Sequence, residues 1–303
     1  MLLSVSVDLD EIRHYHAIYG LPDGGAESLV YARALPRLVD WASQRGLALT
    51  WFVIGCDAQS PDNAQVLSRL ASAGHELACH SYSHHYDLTL RSAGEMRSEI
   101  ERGVAVLAPL TGSEVRGFRA PGYVVNDTLL ALLREAGLAY DSSVFPCPAY
   151  YALKAGAIAA LRARHHTSRA IVDSPEVLRA PTAPYRVGQP YWLRGAGIWE
   201  IPIQVTRKAR LPFIGTALTL AGPLGARLLA QGVLGAPFVN LELHGIDALD
   251  QSDGLSELAK HQRDLRIPWT KKLDAIDAAV ALLRSKGYAS VRMDELAAQA
   301  ARG

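Results

Sequence analysis

The chain is poor in cysteine. Cys56, Cys79 and Cys147 are an odd number with no Cys-x-x-Cys spacing, which argues against a disulfide framework and against a cysteine-rich zinc site. They are expected to be reduced and mostly buried, as free cysteine usually is. An excess of charge of one sign is also lacking. The 31 basic and 30 acidic residues leave a formal charge of +1, so there is no basic field to gather nucleic acid and no acidic tail. Specificity has to come from a site. No repeat, low-complexity tract or charge run divides the chain, and no stretch of roughly 20 uninterrupted apolar residues could cross a bilayer as a helix. The nearest approach, residues 211–243, carries Arg227 as its one charge before Glu242 but is broken by Pro212, Pro223, Pro237 and several glycines. It reads as a buried helix leading into a core strand, with an apolar surface for a lipid-linked substrate as the alternative. The start of the chain has no basic n-region and runs straight into Asp8 and Asp10. No cleavable signal is visible there, and the expectation is a cytoplasmic protein whose relation to lipid is at most peripheral.

What the sequence does have is apolar residues, 49% of its 303 positions, enough for a large core in a single α/β domain spanning 1–303. Short β-branched runs at 2–9, 47–54, 75–79, 115–119, 199–205, 238–243 and 289–293 alternate with segments of helical period at 28–45, 63–73, 92–107, 126–136 and 269–286. That alternation predicts a mainly parallel sheet with helices packed outside it. Gly46, Gly74, Gly137 and Gly287 stand where helices are expected to end. Seven or eight such units imply a barrel or barrel-like sheet. Residues 146–190 are rich in Pro, Tyr and Arg and poorly periodic, and are expected to be an insertion over the barrel mouth.

Chemistry-bearing residues sit where strands give way to loops, the end of such sheets at which sites form. The first strand ends in Asp8, Asp10 and Glu11. By the two-residue period of a strand, Asp8 and Asp10 point the same way. Like charges so close need a cation or an arginine, which suggests a metal site with one carboxylate left for proton transfer; capping of a following helix is the plainer alternative. The third run ends in His80-Ser81-Tyr82-Ser83-His84, whose i, i+4 histidines would share one side of a helical turn. Two imidazoles and a carboxylate leave open positions on a zinc ion, as catalysis requires, although His-x-x-x-His alone is a weak signal.

The run His80-Ser81-Tyr82-Ser83-His84, with Ala73-Gly74-His75-Glu76-Leu77 before it, resembles the second motif of the polysaccharide deacetylase (NodB-homology, carbohydrate esterase family 4-like) family. The Asp8-Leu9-Asp10 form of the first motif is similar to the family's Asp-x-Asp branch. Arg119-Ala120-Pro121 resembles its Arg-x-Pro motif, with Gly122-Tyr123 where many members have Tyr-Gly, and Val239-Asn240-Leu241-Glu242-Leu243-His244-Gly245 is similar to its late Leu-x-His motif. The resemblance runs from about residue 4 to 245. It implies a distorted (β/α) barrel with about seven parallel strands and outer helices. It further implies a metal held by Asp10, His80 and His84, with Asp8 as general base, Arg119 pairing with Asp8 and lowering its pKa, the Gly122 N–H facing the oxyanion, and His244 as general acid. The metal would be divalent, zinc first, with cobalt, nickel or iron as alternatives.

The implied reaction is hydrolysis of an N-acyl, first of all N-acetyl, group from an amino sugar. Alternatives are deformylation or deacetylation of a polyprenyl-linked sugar, hydrolysis of a small non-carbohydrate amide, and, from another class, glycan binding without catalysis. Asp141, in a segment common among such deacetylases, reads as structural. His14, His16, His85, His165 and His166 are left out of the metal set, His14 and His16 being close enough to Asp10 to line the mouth.

Overall fold

The computed structural model describes residues 1–22, 28–163 and 173–302. Among these residues the strands are β1 Leu2–Asp8, β2 Leu49–Val53, β3 Glu76–Cys79, β4 Gly117–Phe118, β5 Tyr140–Asp141, β6 Tyr185–Val187, β7 Arg194–Glu200, β8 Phe238–His244 and β9 Ala289–Ser290. The helices are α1 Ile12–Tyr19, α2 Leu35–Ser43, α3 Gly55–Ala58, α4 Pro61–Ser72, α5 Ala93–Thr111, α6 Asp127–Glu135, α7 Pro148–Ala163, α8 Gly215–Val233, α9 Trp269–Ser285 and α10 Met293–Ala300. The strands form one sheet in the order β6-β7-β5-β4-β3-β2-β1-β8, with β9 beside β1. Every pairing is parallel except β6–β7. The sheet curls into a half-barrel with helices around it, the distorted barrel expected, although it is mixed and has more strands than the seven expected.

Strand β1 is central and its residues from Leu3 to Asp8 are all buried, because a parallel strand covered on both faces has no wet side. Leu3, Val5 and Val7 join the main core with Leu241 and Leu243 of β8 and Trp51 and Val53 of β2. The expected helix ends at Gly46, Gly74, Gly137 and Gly287 are all left-handed, with φ of 59°, 92°, 80° and 83°. The strand expected at 199–205 starts earlier, at Arg194, and its second half is not regular. Pro202 has no N–H to give, and the Asn240 side-chain amide donates to the carbonyls of Ile201 and Pro202 in place of a ladder partner. This irregular run closes the gap between β5 and β8 through Ile203 N–H to Val144 O (2.9 Å) and Gln204 N–H to Asn240 O (3.2 Å).

Three further readings need correction. The helix expected at 28–45 opens with a π-helical turn, Val30–Ala34, before α2. The segment 146–190, expected to be irregular, contains α7 and β6; its period was obscured because the Pro148–Ala163 run is Ala- and Tyr-rich rather than cleanly two-faced. Helix α8 is not buried all round: Leu220, Leu224 and Leu228 are 54%, 81% and 67% exposed. The three cysteines are free, Cys79 and Cys147 buried and Cys56 partly so. Among the described residues no helix is long and apolar enough to cross a membrane.

Candidate active site

Strand register brings the site together. Asp8 lies opposite both Phe52 of β2 and His244 of β8, and Val53 lies opposite Cys79, which lies opposite Phe118. The ladder continues one residue further through His80 N–H to Val53 O (2.9 Å) and Arg119 N–H to Cys79 O (3.0 Å). Asp8, His80, Arg119 and His244 are therefore the last residues of neighbouring parallel strands, at the carboxyl end of the sheet.

Beyond β3 the chain does not form the helical turn that the i, i+4 histidines suggested. Ser81 and His84 adopt left-handed φ of 58° and 55°, and the Ser81 hydroxyl accepts the His84 N–H at 3.0 Å. The loop folds back and delivers both rings to the same carboxylate all the same. His80 Nε2 is 3.2 Å from Asp10 Oδ1 and His84 Nε2 is 3.3 Å from Asp10 Oδ2. The Ser83 N–H is held by Glu99 of α5 at 2.7 Å, and α5 comes this close because residue 103 is glycine: a Cβ there would sit 2.6 Å from Cys79 Sγ and 3.2 Å from the Ser81 carbonyl carbon.

Asp10, His80 and His84 are all buried, and their ligand atoms lie within 4.8 Å of one another. His80 Nδ1 lies 2.7 Å from the Arg119 carbonyl; as a donor there it leaves Nε2 with a lone pair facing Asp10, the arrangement of a metal-binding histidine. Both ring nitrogens of His84 and Asp10 Oδ1 are buried without a hydrogen-bond partner. Buried polar atoms normally find one, and a cation is a partner that this donor set could take. The spacing fits, since two ligands about 2.0–2.1 Å from one tetrahedral zinc are roughly 3.3 Å apart. Burial alone would raise the Asp10 carboxyl, but His84 and His80 hold it well below the usual carboxylate range.

Beside this triad is a fully buried ion pair. Arg119 Nη1 donates to Asp8 Oδ1 at 2.5 Å, Nη2 to Ser6 Oγ (3.1 Å) and Ser142 Oγ (2.9 Å), and Nε to the Ser142 carbonyl (2.7 Å). The Phe52 ring lies under the guanidinium, 3.9 Å away. Asp8 Oδ2 has no hydrogen-bond partner and lies 3.8 Å from His80 Nε2, turned toward the triad. Arg119 was expected to lower the Asp8 pKa. It acts in that direction, but burial outweighs it, and the carboxyl stands above its ordinary value.

His244 faces the triad from β8, with Nε2 4.0 Å from Asp10 Oδ2 and 3.3 Å from the Tyr123 hydroxyl. Its Nδ1 pairs with Glu242 Oε1 at 2.7 Å. Burial opposes a charged imidazole, yet Glu242, with Asp8 and Asp10, raises it well above the ordinary histidine value. The sequence reading missed Glu242. The signal was present, since residues two apart on a strand share a face. Gly122, with φ of 64°, lies at the rim: its carbonyl accepts from Lys154 Nζ of α7 at 3.0 Å, and a Cβ there would meet the Tyr86 ring at 3.1 Å.

The histidines set aside separate clearly. His14 is buried against His84, ring centres 4.3 Å apart, and burial with His84 beside it pushes it down to about 2. His16 accompanies it in lining a cavity of about 1010 Å³ that reaches His84. His85 turns to Glu99 at 3.9 Å, and His165 and His166 lie outside the described residues. Asp141 is buried, accepts from the Ser143 N–H and hydroxyl, and braces the loop whose Ser142 holds Arg119.

These features define a distorted β/α barrel with a carboxylate–histidine centre at the carboxyl end of its sheet. Residues 23–140 match the family model described as polysaccharide deacetylase. The bifunctional xylanase/deacetylase of Pseudobutyrivibrio xylanivorans is 32% identical over 93 residues, 31% of this chain and 15% of that protein. The peptidoglycan deacetylase of Helicobacter pylori is 26% identical over 148 residues, 48% of this chain and 50% of that protein. The chain thus spans half or less of the length of these relatives. In fold it is similar to Puue allantoinase, with a TM-score of 0.60 at 16% identity, covering 98% of this chain and 88% of that one. Over residues 23–140 the chain is thus similar to the polysaccharide deacetylase, NodB-homology family.

Proposed function

We propose that the chain hydrolyses an N-acyl group, first of all N-acetyl, from an amino sugar in a glycan or glycan precursor. One observation carries this: Asp8, paired with Arg119, and His244, paired with Glu242, stand side by side on β1 and β8 and both face the Asp10–His80–His84 cluster. A base, an acid and a metal site within one small space are what amide hydrolysis needs, and glycan binding alone needs none of them.

In this reading Asp10, His80 and His84 hold a divalent metal, zinc by the donor set. Such an ion polarises the acyl carbonyl and makes a water acidic enough to be deprotonated near neutral pH. Asp8 takes the proton from the attacking water through Oδ2, the oxygen that Arg119 leaves free. Arg119 keeps the carboxylate aimed, because its other donors are anchored on Ser6 and Ser142. The Gly122 N–H stands to donate to the developing oxyanion. His244, held as imidazolium by Glu242, gives its Nε2 proton to the departing amine. Carboxylate and free amine result. The Tyr123 hydroxyl beside Nε2 and the α7 side chains Tyr150 and Lys154 wall this end of the site, which supports the reading of α7, within residues 146–190, as part of a cover over the barrel mouth.

The test is release of acylate from N-acetylglucosamine oligomers, polyprenyl-linked formylated or acetylated sugars and small amides, alongside metal analysis. His80→Ala and His84→Ala should each lose both metal and turnover, and Asp8→Asn should keep the metal and lose turnover. Full metal content in both histidine variants would refute the ligand set. Saturable glycan binding without acylate release from any substrate would refute catalysis.

A further inference from the structure

Between residues 201 and 241 the chain has no acidic residue and four cations, Arg207, Lys208, Arg210 and Arg227. The same stretch holds Leu211, Leu220, Leu224 and Leu228, half of the large hydrophobic residues that stand well exposed on the described surface. This concentration is not scattered surface apolarity. Helix α8 breaks at Gly222 (φ 64°, ψ 178°) ahead of Pro223, so Leu220 ends the first half, while Leu224, Arg227 and Leu228 share one face of the second. The loop after β7 packs on the end of that second half: the Arg207 N–H donates to Gly232 O at 2.9 Å and its guanidinium to Leu234 O at 3.0 Å. Exposed Arg207 and Lys208 thereby flank the leucines along a strip roughly 18 Å long.

We propose that this strip is a peripheral docking surface for an anionic phospholipid bilayer. Leucines alternating with cations, and no carboxylate in the strip, are the composition that seats in the headgroup region with its side chains among the acyl chains. A second copy of this chain is a poor occupant, because a two-fold contact would bring together two strips that carry cations and no carboxylate to offset them. The strip starts near the active site: a Cβ on Gly215, the first residue of α8, would meet Asp247, whose carboxylate accepts the His244 N–H at 2.9 Å. Ile214, which precedes α8, and Ala217 of α8 pack in one apolar cluster with Tyr123 and Tyr150 of the site wall. Docking would hold the barrel mouth close to the membrane surface whatever its substrate, so the inference does not depend on the reaction proposed above.

The experiment is co-sedimentation with vesicles of phosphatidylcholine alone and of phosphatidylcholine with phosphatidylglycerol at three to one. The wild-type chain, Leu224→Ser/Leu228→Ser and Arg207→Gln/Lys208→Gln/Arg227→Gln are compared. The wild type should partition onto the anionic vesicles, less so as salt rises. The leucine variant should bind about tenfold or more weaker, and each cation removed should weaken binding about fivefold. All of these side chains are exposed, so circular dichroism should match the wild type, and melting should fall by no more than the loss of the Arg207–Leu234 hydrogen bond in the cation variant. The proposal is overturned if the wild type stays in the supernatant with anionic vesicles, or if both variants pellet as it does. It is also overturned if light scattering shows a dimer that the leucine variant abolishes.

Discussion

Replacing Arg119 with methionine tests the centre of the site without needing substrate. The guanidinium is fully buried, donates four hydrogen bonds, and is the direct counter-charge to Asp8. Methionine fills part of the volume over Phe52 but strands a carboxylate that burial already drives toward protonation. Breaking a buried pair from one side costs about 3–5 kcal/mol, because the remaining charge has neither water nor partner. Asp8→Asn should also destabilise, by stranding the guanidinium instead. The double variant Asp8→Asn/Arg119→Met strands neither, and should cost less than the two single changes summed by roughly 2 kcal/mol. Urea unfolding in chelator, followed by tryptophan fluorescence at neutral pH, reads all three. A loss below about 1 kcal/mol in Arg119→Met, or strict additivity, would refute the reasoning that the pair is a buried, mutually dependent unit.

Glu242→Gln removes the charge that holds His244 as imidazolium, so the alkaline limb of the pH–rate profile should move to lower pH; an unmoved limb would separate Glu242 from the acid. At the opposite end of the barrel, burial and Asp294 push the Glu76 carboxyl up to about 7. A fold that favours the protonated acid has this stability in full below the ordinary value of 4.5 and loses it as pH rises through about 7, a change of up to roughly 3 kcal/mol. Glu76→Gln should flatten that part of the melting-temperature profile, and an unchanged slope would show that Glu76 does not titrate there. Gly103→Ala should press α5 off the His80–His84 loop, where a Cβ would meet Cys79 Sγ at 2.6 Å. A cost of about 1–3 kcal/mol in urea unfolding is expected, partly offset by the better helix propensity of alanine. A variant more stable than the wild type would show that the contact is loose.

Several features were legible because they are local. Strand periods, helix-ending glycines and the order of Asp8, Asp10, His80, His84, Arg119 and His244 lie along the chain, and backbone sterics and side-chain alternation act within a few residues. Where local pattern was weak, the reading failed: β5 is two residues long and α7 is apolar on more than one side.

The amino-acid sequence by itself determined the barrel class and which residues stand at strand ends, since burial period and turn chemistry depend only on neighbours. Tertiary structure alone decided how those residues meet. Strand register set Asp8 beside His244, and a left-handed loop rather than a helical turn carried His84 to Asp10. Glu242 became the partner of His244 only through a 2.7 Å contact in a dry interior. Distances between side chains far apart in the chain follow from packing, and packing also left the leucines of α8 facing outward, where their apolarity had suggested a buried helix.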